Sequence, residues 1–460
     1  MENFGCRATQ ADGAAIERQF QQHGLDRANA ATEANVVVLN TCTVTAAADQ
    51  DARAAIRRIH RKNPNARIVV TGCYAQRAPQ EIAALPGVSQ VIGNSHKHEL
   101  ARLALPSLSS FVPLASLLGK YPSQTDDREP GTENSIFVSD IFAHTELLAA
   151  PVFEAANERT RPNLKIQDGC GNRCSFCVIP SVRGNSRSLH KNRILAEISA
   201  LVGAGYREVV ISGINLGRWG RDLESHNVKD FQRPATKGQR LEGLVRSILE
   251  ETHLEKLRIS SVEPMDWSDE LVRLMASSQR IAKHAHVPMQ SGSDAVLRRM
   301  HRKYRPWHYR EKIEKIRAAM PDAAIGADVM VGFPGETEAE FSETCRMVED
   351  LPFTYLHVFT YSARPGTPAA AMPDQVLPSV ARERNRILRD LAAQKKLAFM
   401  RGFLRKTLPT ITLNVQGANS TESLTDNYLK LRLAGHHPPN RWLQARVAKV
   451  EDGMLVGTAA

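Results

Sequence analysis

The sequence lacks the features of a membrane or secreted protein. Its 460 residues contain no run of about 18 apolar residues, the length that a membrane-spanning helix needs. The first residues, Met1–Glu17, lack a basic stretch followed by an apolar one, so we predict no signal peptide and a cytoplasmic location. Cysteine is also sparse. Seven cysteines in a chain of this length are too few for a disulfide framework, so clustered cysteines indicate metal binding or catalysis.

The charge of the chain is unbalanced toward the positive sign. Sixty Lys and Arg stand against 49 Asp and Glu, which gives a net charge of +11. Apolar residues make up 42% of the chain, as in globular proteins, so collagen-like and wholly disordered chains are excluded. A basic surface favours a polyanionic partner such as nucleic acid, although a basic enzyme without such a partner has the same composition.

Residues 1–105 alternate between strand and helix patterns. The β-branched runs Val36–Asn40, Ala66–Gly72 and Ser89–Gly93 predict buried strands, and an Ala-rich segment from Ala46 to Lys62 predicts a helix. Alternation of this kind is typical of an α/β domain with a doubly wound parallel sheet.

Three further segments follow. Residues 106–155 lack clear periodicity and are predicted to be a linker with a short extended piece near Ile136–Val138. Residues 156–395 return to strand–helix alternation, which predicts a full or partial (β/α) barrel with its chemistry on the loops after the strands. Residues 396–460 contain short strands separated by turns, which predicts a small β-barrel. The strands predicted for the central barrel are Glu208–Ser212, Lys256–Ser260, Ala285–Pro288, Ala324–Val331 and Tyr355–Thr360.

Three cysteines lie close together in the central segment. Cys170, Cys174 and Cys177 have the spacing C-x3-C-x2-C. Three thiolates on so short a loop can hold three corners of one iron–sulfur cluster and leave the fourth iron open to another ligand. A structural zinc site is the weaker alternative, because it needs a fourth Cys or His nearby.

Three other cysteines are expected at one sheet edge. Cys42 and Cys73 each follow a predicted strand, and the carboxyl ends of parallel strands share an edge. Cys6 joins them if a strand precedes it, but only five residues do, so this strand is expected to be incomplete or to begin upstream. Each cysteine alone is more often a small core residue, whereas three at one edge favour a second cluster. Cys345 lies in a predicted helix and is interpreted as structural.

The motifs around these cysteines resemble those of the radical S-adenosylmethionine methylthiotransferases. Phe176 directly precedes the last cysteine of the central triad, as in that superfamily. The resemblance runs from about residue 4 to the C-terminus, and the last 60 residues resemble the TRAM module, a small RNA-binding β-barrel. The matching segments include Asn40–Thr45, Thr71–Cys73, Lys165–Cys170, Gln290–Ser293 and Gly332–Thr337.

The resemblance implies two 4Fe–4S clusters and S-adenosylmethionine as cofactors. A catalytic cluster, whose open iron binds S-adenosylmethionine for reductive cleavage to a 5′-deoxyadenosyl radical, would be held by Cys170, Cys174 and Cys177. An auxiliary cluster that carries or supplies the sulfur would be held by Cys6, Cys42 and Cys73. A second S-adenosylmethionine would supply the methyl group, and an external partner the electron. The further candidates for cofactor binding are Phe176, Gly213 and Glu263.

Within the family, several segments resemble the branch that acts on threonylcarbamoyl-adenosine in tRNA. These segments are Thr43–Thr45, Ser212–Gly217, Ser260–Pro264 and Leu356–Phe359. The expected reaction is therefore addition of a methylthio group to C2 of this adenosine, next to the anticodon. The alternatives are methylthiolation of isopentenyl-adenosine or of a ribosomal-protein aspartate, and a non-enzymatic iron–sulfur regulator that binds RNA.

Four arginines are candidates for RNA contact. Arg183 and Arg187 follow the central cysteine loop and are placed for a substrate phosphate. Arg302 and Arg305 belong to a basic segment with interleaved aromatic residues, a composition that suits RNA. Two nearby histidines, His284 and His286, are expected to face opposite sides of a strand, which argues against a shared metal site.

Overall fold

The structure is a computed structural model that describes residues 1–105, 135–144, 147, 160–223 and 240–460. The chain divides into two units, Met1–Thr43 with Ala47–Leu148, and Val44–Ala46 with Ala149–Ala460. Among the described residues, no helix is both long enough and apolar enough to cross a membrane. Most of the predicted linker, 106–155, lies outside the described residues.

The first unit contains a five-stranded parallel sheet with the order β1-β2-β3-β4-β5. Its strands are β1 (Glu2–Asn3), β2 (Val36–Thr41), β3 (Arg67–Gly72), β4 (Val88–Gly93) and β5 (Ser135–Phe137). Its helices are α1 (Arg7–Gln22), α2 (Ala46–Lys62), α3 (Cys73–Arg77), α4 (Pro79–Ala83) and α5 (Leu100–Ala104). The predicted strands and the helix α2 are confirmed. The β-branched runs bury apolar side chains in two clusters, and the helical period of α2 buries its apolar residues in the larger of them.

Two features of this unit differ from the prediction. The extended piece assigned to the linker is β5, which pairs with β4 and so extends the sheet. Helix α1 was not predicted, because the residues it buries include Ala8, Ala11 and Ala15, which give only a weak apolar stripe. The strand before Cys6 is short, as expected: β1 has two residues, and they pair with Leu39 and Asn40.

The second unit contains a partial (β/α) barrel of two sheets. The first sheet has the order β7-β6-β8-β9 and the second β10-β11-β12, and bridges such as Ser261 to His286 connect them. The strands are β6 (Asn163–Asp168), β7 (Arg187–Ser188), β8 (Glu208–Gly213), β9 (Lys256–Ile259), β10 (His284–His286), β11 (Ala324–Val331) and β12 (Tyr355–Thr360). The helices are α6 (Ile179–Arg183), α7 (Lys191–Gly203), α8 (Leu241–Glu251), α9 (Asp269–Ser277), α10 (Asp294–Arg299), α11 (Pro306–Ala319), α12 (Glu338–Asp350) and α13 (Pro378–Arg401).

The last segment of the second unit is a closed barrel with the strand order β13-β14-β15-β17-β16. Its strands are β13 (Thr407–Gly417), β14 (Ser420–Thr425), β15 (Lys430–Ala434), β16 (Trp442–Glu451) and β17 (Met454–Ala459). The predicted small barrel is therefore present. Strand β14 was missed because its sequence, STESLT, is almost entirely polar.

The turn after β14 covers the amino-terminal ends of the central strands. Asp426 forms an ion pair of 2.9 Å with Lys256, and its carbonyl oxygen accepts a hydrogen bond of 3.2 Å from Arg258. The ring of Tyr428 lies 4.4 Å from that of His284 and 5.9 Å from that of Tyr355. Lys256, Arg258, His284 and Tyr355 lie at or near the first residues of β9, β10 and β12. The cysteine loop follows the last residue of β6 and therefore lies at the opposite, carboxyl end of the central sheets.

Candidate functional site

The central cysteine loop leaves the carboxyl end of β6 through a glycine. Gly169 has a φ of +70°, and a Cβ on it would lie 1.9 Å from the carbonyl oxygen of Asn185. Only glycine fits this turn, which directs the chain into Cys170. The Cys170 N–H donates to the carbonyl of Gly184 (3.1 Å), and the Cys177 N–H donates to that of Cys174 (3.1 Å). These bonds close the loop, so the three thiols lie on one short segment between β6 and α6.

A buried ion network anchors both ends of this loop. Asp168 accepts from Lys165 Nζ at 2.8 Å and from Arg183 Nη1 at 2.9 Å, and it also accepts from the Gly169 N–H at 2.8 Å. Burial by itself raises the pKa of Asp168, but Arg183 and Lys165 bring this pKa well below its ordinary value. Arg183 is buried in this pair, so its guanidinium stabilises the loop, and its position does not support the predicted contact with an RNA phosphate.

Gln167 connects the loop to the neighbouring strand. Its amide nitrogen donates to the carbonyl of Gly169 (2.8 Å), and its amide oxygen accepts from the Asn215 N–H (2.7 Å). Gly213, a predicted cofactor-binding residue, lies against this side chain: a Cβ on Gly213 would be 2.8 Å from Gln167 Oε1. The sequence placed Gln167 in a matching segment but gave no sign of this role, because a buried amide has no characteristic spacing.

Arg302 contacts the cysteine loop directly. Its Nη1 lies 3.3 Å from Cys174 Sγ, its other terminal nitrogen forms an ion pair with Glu263, and its guanidinium lies over the ring of Tyr304. The side chain is 5% exposed, so its position does not support the predicted RNA contact at Arg302. Glu263 lines a small cleft beside Cys174 together with Asn172. This predicted cofactor-binding residue thus lies at the cluster loop.

The remaining RNA candidates do not form an open basic surface. Arg305 donates to the carbonyl of Arg302 at 3.0 Å and forms an ion pair of 3.3 Å with Asp294. Arg187 donates to the carbonyl of Arg183 at 3.0 Å. The exposed aromatic of the basic segment, Trp307, borders a groove that has more carboxylates than guanidinium groups. The residues of that groove that carry charge are Arg310, Glu311, Glu314, Glu343, Arg346 and Asp350.

Phe176 packs on the protein side of the loop. Its ring meets that of Phe333 edge-on at 6.4 Å, and it lies against a small core that contains Val296 and Met300. The preceding residue is held as well, because Ser175 donates from its N–H to the carbonyl of Met300 and from its hydroxyl to that of Arg299. This packing holds the middle of the cysteine loop against α10.

The site has the donor set of a metal cluster. The cysteines are free thiols, and burial raises the pKa of Cys170 and raises that of Cys177 to about 12. Iron binding requires thiolates, so loading the site releases protons, and the Arg302 guanidinium offsets part of the resulting negative charge. Within the described residues, the buried oxygens Ser212 Oγ and Asn215 Oδ1 have no hydrogen-bond partner. The residues therefore fit an iron–sulfur cluster with a polar cofactor beside it.

Three neighbouring strands bring the other cysteines to one edge. Cys6 lies between β1 and α1, Cys42 follows β2, and Cys73 follows β3 directly. Gly5 has a φ of +112°, and a Cβ on it would lie 2.6 Å from Cys42 Cβ, so a glycine is needed for this close approach. Cys6 is exposed, whereas Cys42 and Cys73 are buried, and Asn94 Nδ2 lies 3.6 Å from Cys73 Sγ.

The histidines differ from the prediction. His284 Nε2 and His286 Nδ1 both lie within hydrogen-bond distance of the Tyr355 hydroxyl, at 2.7 and 3.0 Å. Their side chains therefore share one face of β10, because residues two apart in a strand point the same way. The prediction that they face opposite sides is wrong. Cys345 lies in α12, as predicted, and burial raises its pKa to about 11.

Comparison with known proteins shows the family to which the chain belongs. Residues 1–93 match the family described as Uncharacterized protein family UPF0004, and residues 164–348 match the Radical SAM superfamily. A threonylcarbamoyladenosine tRNA methylthiotransferase of Bacillus subtilis is 37% identical over 94% of this chain and 89% of its own length. One of Aquifex aeolicus is 34% identical, over 95% and 96%. A tRNA-2-methylthio-N(6)-dimethylallyladenosine synthase of Acidothermus cellulolyticus is 32% identical, over 100% and 84%. The chain therefore belongs to the radical S-adenosylmethionine methylthiotransferases.

Proposed function

We propose that this chain adds a methylthio group to C2 of threonylcarbamoyladenosine next to the anticodon of tRNA. The observation that carries the proposal is the loop of three free thiols between β6 and α6, in a chain that is 37% identical to an enzyme named for this nucleoside. Relatives named for the dimethylallyl nucleoside have 32 and 34% identity, so that product is the competing outcome of the test.

The radical chemistry belongs to S-adenosylmethionine and a 4Fe–4S cluster, which supply a radical when one electron reaches them. The chain contributes the ligands and their surroundings. Cys170, Cys174 and Cys177 bind three irons of the cluster, and Arg302 places a positive charge beside Cys174. Gly213, Glu263 and Phe176 are the residues we assign to the cofactor pocket. The buried Asp168 network holds the loop in place while substrate and cofactor exchange.

A second cluster at Cys6, Cys42 and Cys73 is part of the proposal. Its support is the placement of these residues after three adjacent parallel strands, together with the close approach that Gly5 permits. The proposed role of this cluster is to carry or supply the sulfur of the methylthio group. An external protein donates the electron.

The proposal also assigns RNA contact to the C-terminal barrel. The last 60 residues carry eight Lys and Arg against four Asp and Glu, an excess that suits a phosphate backbone. Arg432 and Lys449, on β15 and β16, pair with Glu451 at 3.7 and 2.9 Å and stay at least one third exposed. Exposed pairs of this kind are weak, so their cations can exchange the carboxylate for a phosphate.

The test is mass spectrometry of tRNA nucleosides from cells that lack this gene. Restoring the wild-type gene should restore methylthio-threonylcarbamoyladenosine, and restoring Cys174→Ala or Cys42→Ala should not. The matched control is Cys345→Ala, which removes a cysteine outside both triads and should restore the product. A change in the dimethylallyl product instead would contradict the assigned substrate. Unchanged nucleosides would contradict a tRNA substrate altogether and favour a protein target.

A further inference from the structure

A third group of metal-ligating side chains lies on the sheet β10-β11-β12. His286 ends β10, Asp328 lies in β11 and His357 in β12. The strand register pairs Asp328 with His357, and it pairs His286 with Gly326, two residues before Asp328. Because residues two apart in a strand share a face, the three side chains extend from the same face of the sheet.

The ligand atoms of this group converge. His286 Nε2 lies 3.1 Å and His357 Nδ1 lies 3.3 Å from the same oxygen, Asp328 Oδ1. One ligand atom from each of the three residues can be chosen so that all lie within 4.8 Å of one another. Two ligands bound at about 2.0–2.1 Å to one tetrahedral or octahedral metal lie about 2.8–3.4 Å apart. The separations of 3.1 and 3.3 Å fall in that range.

A tyrosine orients the first of these ligands. The Tyr355 hydroxyl lies 3.0 Å from His286 Nδ1, which leaves Nε2 directed at Asp328. A metal-binding histidine nearly always has such a partner on its other nitrogen. Tyr355 reaches this position because Gly326, opposite it in the register, has no side chain: a Cβ there would lie 2.0 Å from the tyrosine ring.

The exposure of the three residues leaves room for further ligands. The side chain of His286 is 9% exposed, that of Asp328 25% and that of His357 56%. The group is thus closed at β10 and open at β12. A metal held by three protein ligands keeps at least one coordination position for water or another oxygen ligand, and here that position would face the open side.

We propose that His286, Asp328 and His357 bind one divalent transition-metal ion, separate from the iron–sulfur clusters. Two imidazoles and one carboxylate are the ligand set of many zinc and iron(II) sites with open positions. Calcium and magnesium are disfavoured, because they prefer oxygen ligands throughout. Zinc is the probe of choice, since its signal is distinct from the iron of the clusters.

The test uses the full chain with its clusters reconstituted. The protein is dialysed against metal-free buffer and then equilibrated with a series of Zn²⁺ concentrations, and bound zinc and iron are counted by mass spectrometry. Wild type should bind one zinc per chain. His357→Asn, at the exposed end of the group, should weaken zinc binding by at least about 100-fold. Loss of a residue that only hydrogen-bonds a metal ligand already weakens binding by about 10–100-fold, and His357 is itself a proposed ligand. Asp328→Asn should do the same.

The matched control is His253→Asn, an exposed histidine in the turn after α8, which should leave zinc binding unchanged. Iron content must be equal in all variants, so that a loss of zinc cannot reflect a damaged cluster. Zinc should also raise the thermal unfolding midpoint of wild type and the control but not of His357→Asn. Equal zinc binding by wild type and His357→Asn, or no zinc bound by wild type, would overturn the proposal and leave the contacts as hydrogen bonds.

Discussion

Replacing Arg302 by glutamine removes a guanidinium that lies 3.3 Å from Cys174 Sγ. A nearby positive charge favours the reduced form of a cluster, which carries one more negative charge. Arg302→Gln should therefore lower the reduction potential of the cluster held by Cys170, Cys174 and Cys177. Arg302 and Tyr304 are both buried, so solvent screens this interaction only partly.

The expected size of the shift follows from Coulomb's law. Two unit charges 3.3 Å apart attract by about 5 kcal/mol at an effective dielectric constant of about 20. The true effect is smaller, since the added electron spreads over the whole cluster. A change of about 1.5–2.5 kcal/mol remains, and at about 59 mV per tenfold change for one electron this is a shift of about 60–100 mV.

The assay is a redox titration of the loaded protein followed by electron paramagnetic resonance. The relevant signal is the one that changes when S-adenosylmethionine is added. The control is Arg298→Gln, which makes the same chemical change at a side chain that is 61% exposed and pairs with Asp294. A potential that is unchanged in Arg302→Gln, or that shifts equally in the control, would refute the assignment of Arg302 to the cluster.

Three further outcomes are expected. Asp168→Asn removes the buried carboxylate between Lys165 and Arg183 and should lower the free energy of unfolding by about 3–5 kcal/mol in denaturation experiments. The control Asp390→Asn changes an exposed aspartate and should alter this free energy by less than about 0.5 kcal/mol. Because the pKa of Asp168 is depressed, the stability that this carboxylate contributes is complete above the ordinary aspartate pKa of about 4 and is lost as the pH falls through the lowered value. If the difference in unfolding free energy between wild type and variant disappeared near pH 6, this reasoning would be contradicted. Gly169→Ala forces a Cβ against the Asn185 carbonyl and should cost the chain one cluster, about four irons by metal analysis, whereas Gly171→Ala in the same loop meets nothing within 4 Å and should keep it. Cys42→Ala should also lower the iron content by about four per chain while the signal that responds to S-adenosylmethionine persists; loss of that signal would argue against two independent clusters.

Local sequence patterns were sufficient for the regular elements that bury apolar side chains. Strands β11 and β12 have the predicted bounds, because each is an apolar run with β-branched residues between polar turns. The capping box at Thr337 and Glu340 begins α12, and both of its hydrogen bonds are local in the sequence. Strands β6 and β14 were missed because they bury or pair polar residues, and the partners that make this favourable lie far away in the sequence.

The sequence by itself determined the cysteine spacing and the strands β2 and β3, whose carboxyl ends place Cys42 and Cys73 at one edge of the sheet. The side-chain partners of the charged residues depended on the tertiary structure. The position of Arg183 in the sequence does not distinguish a phosphate-binding arginine from the buried partner of Asp168. The residues around Arg302 likewise give no indication of its contact with Cys174, which is 128 residues away. An ion pair or a ligand group is fixed by where side chains converge in three dimensions, as at His286, Asp328 and His357, and such convergence across strands leaves no periodic trace in the sequence.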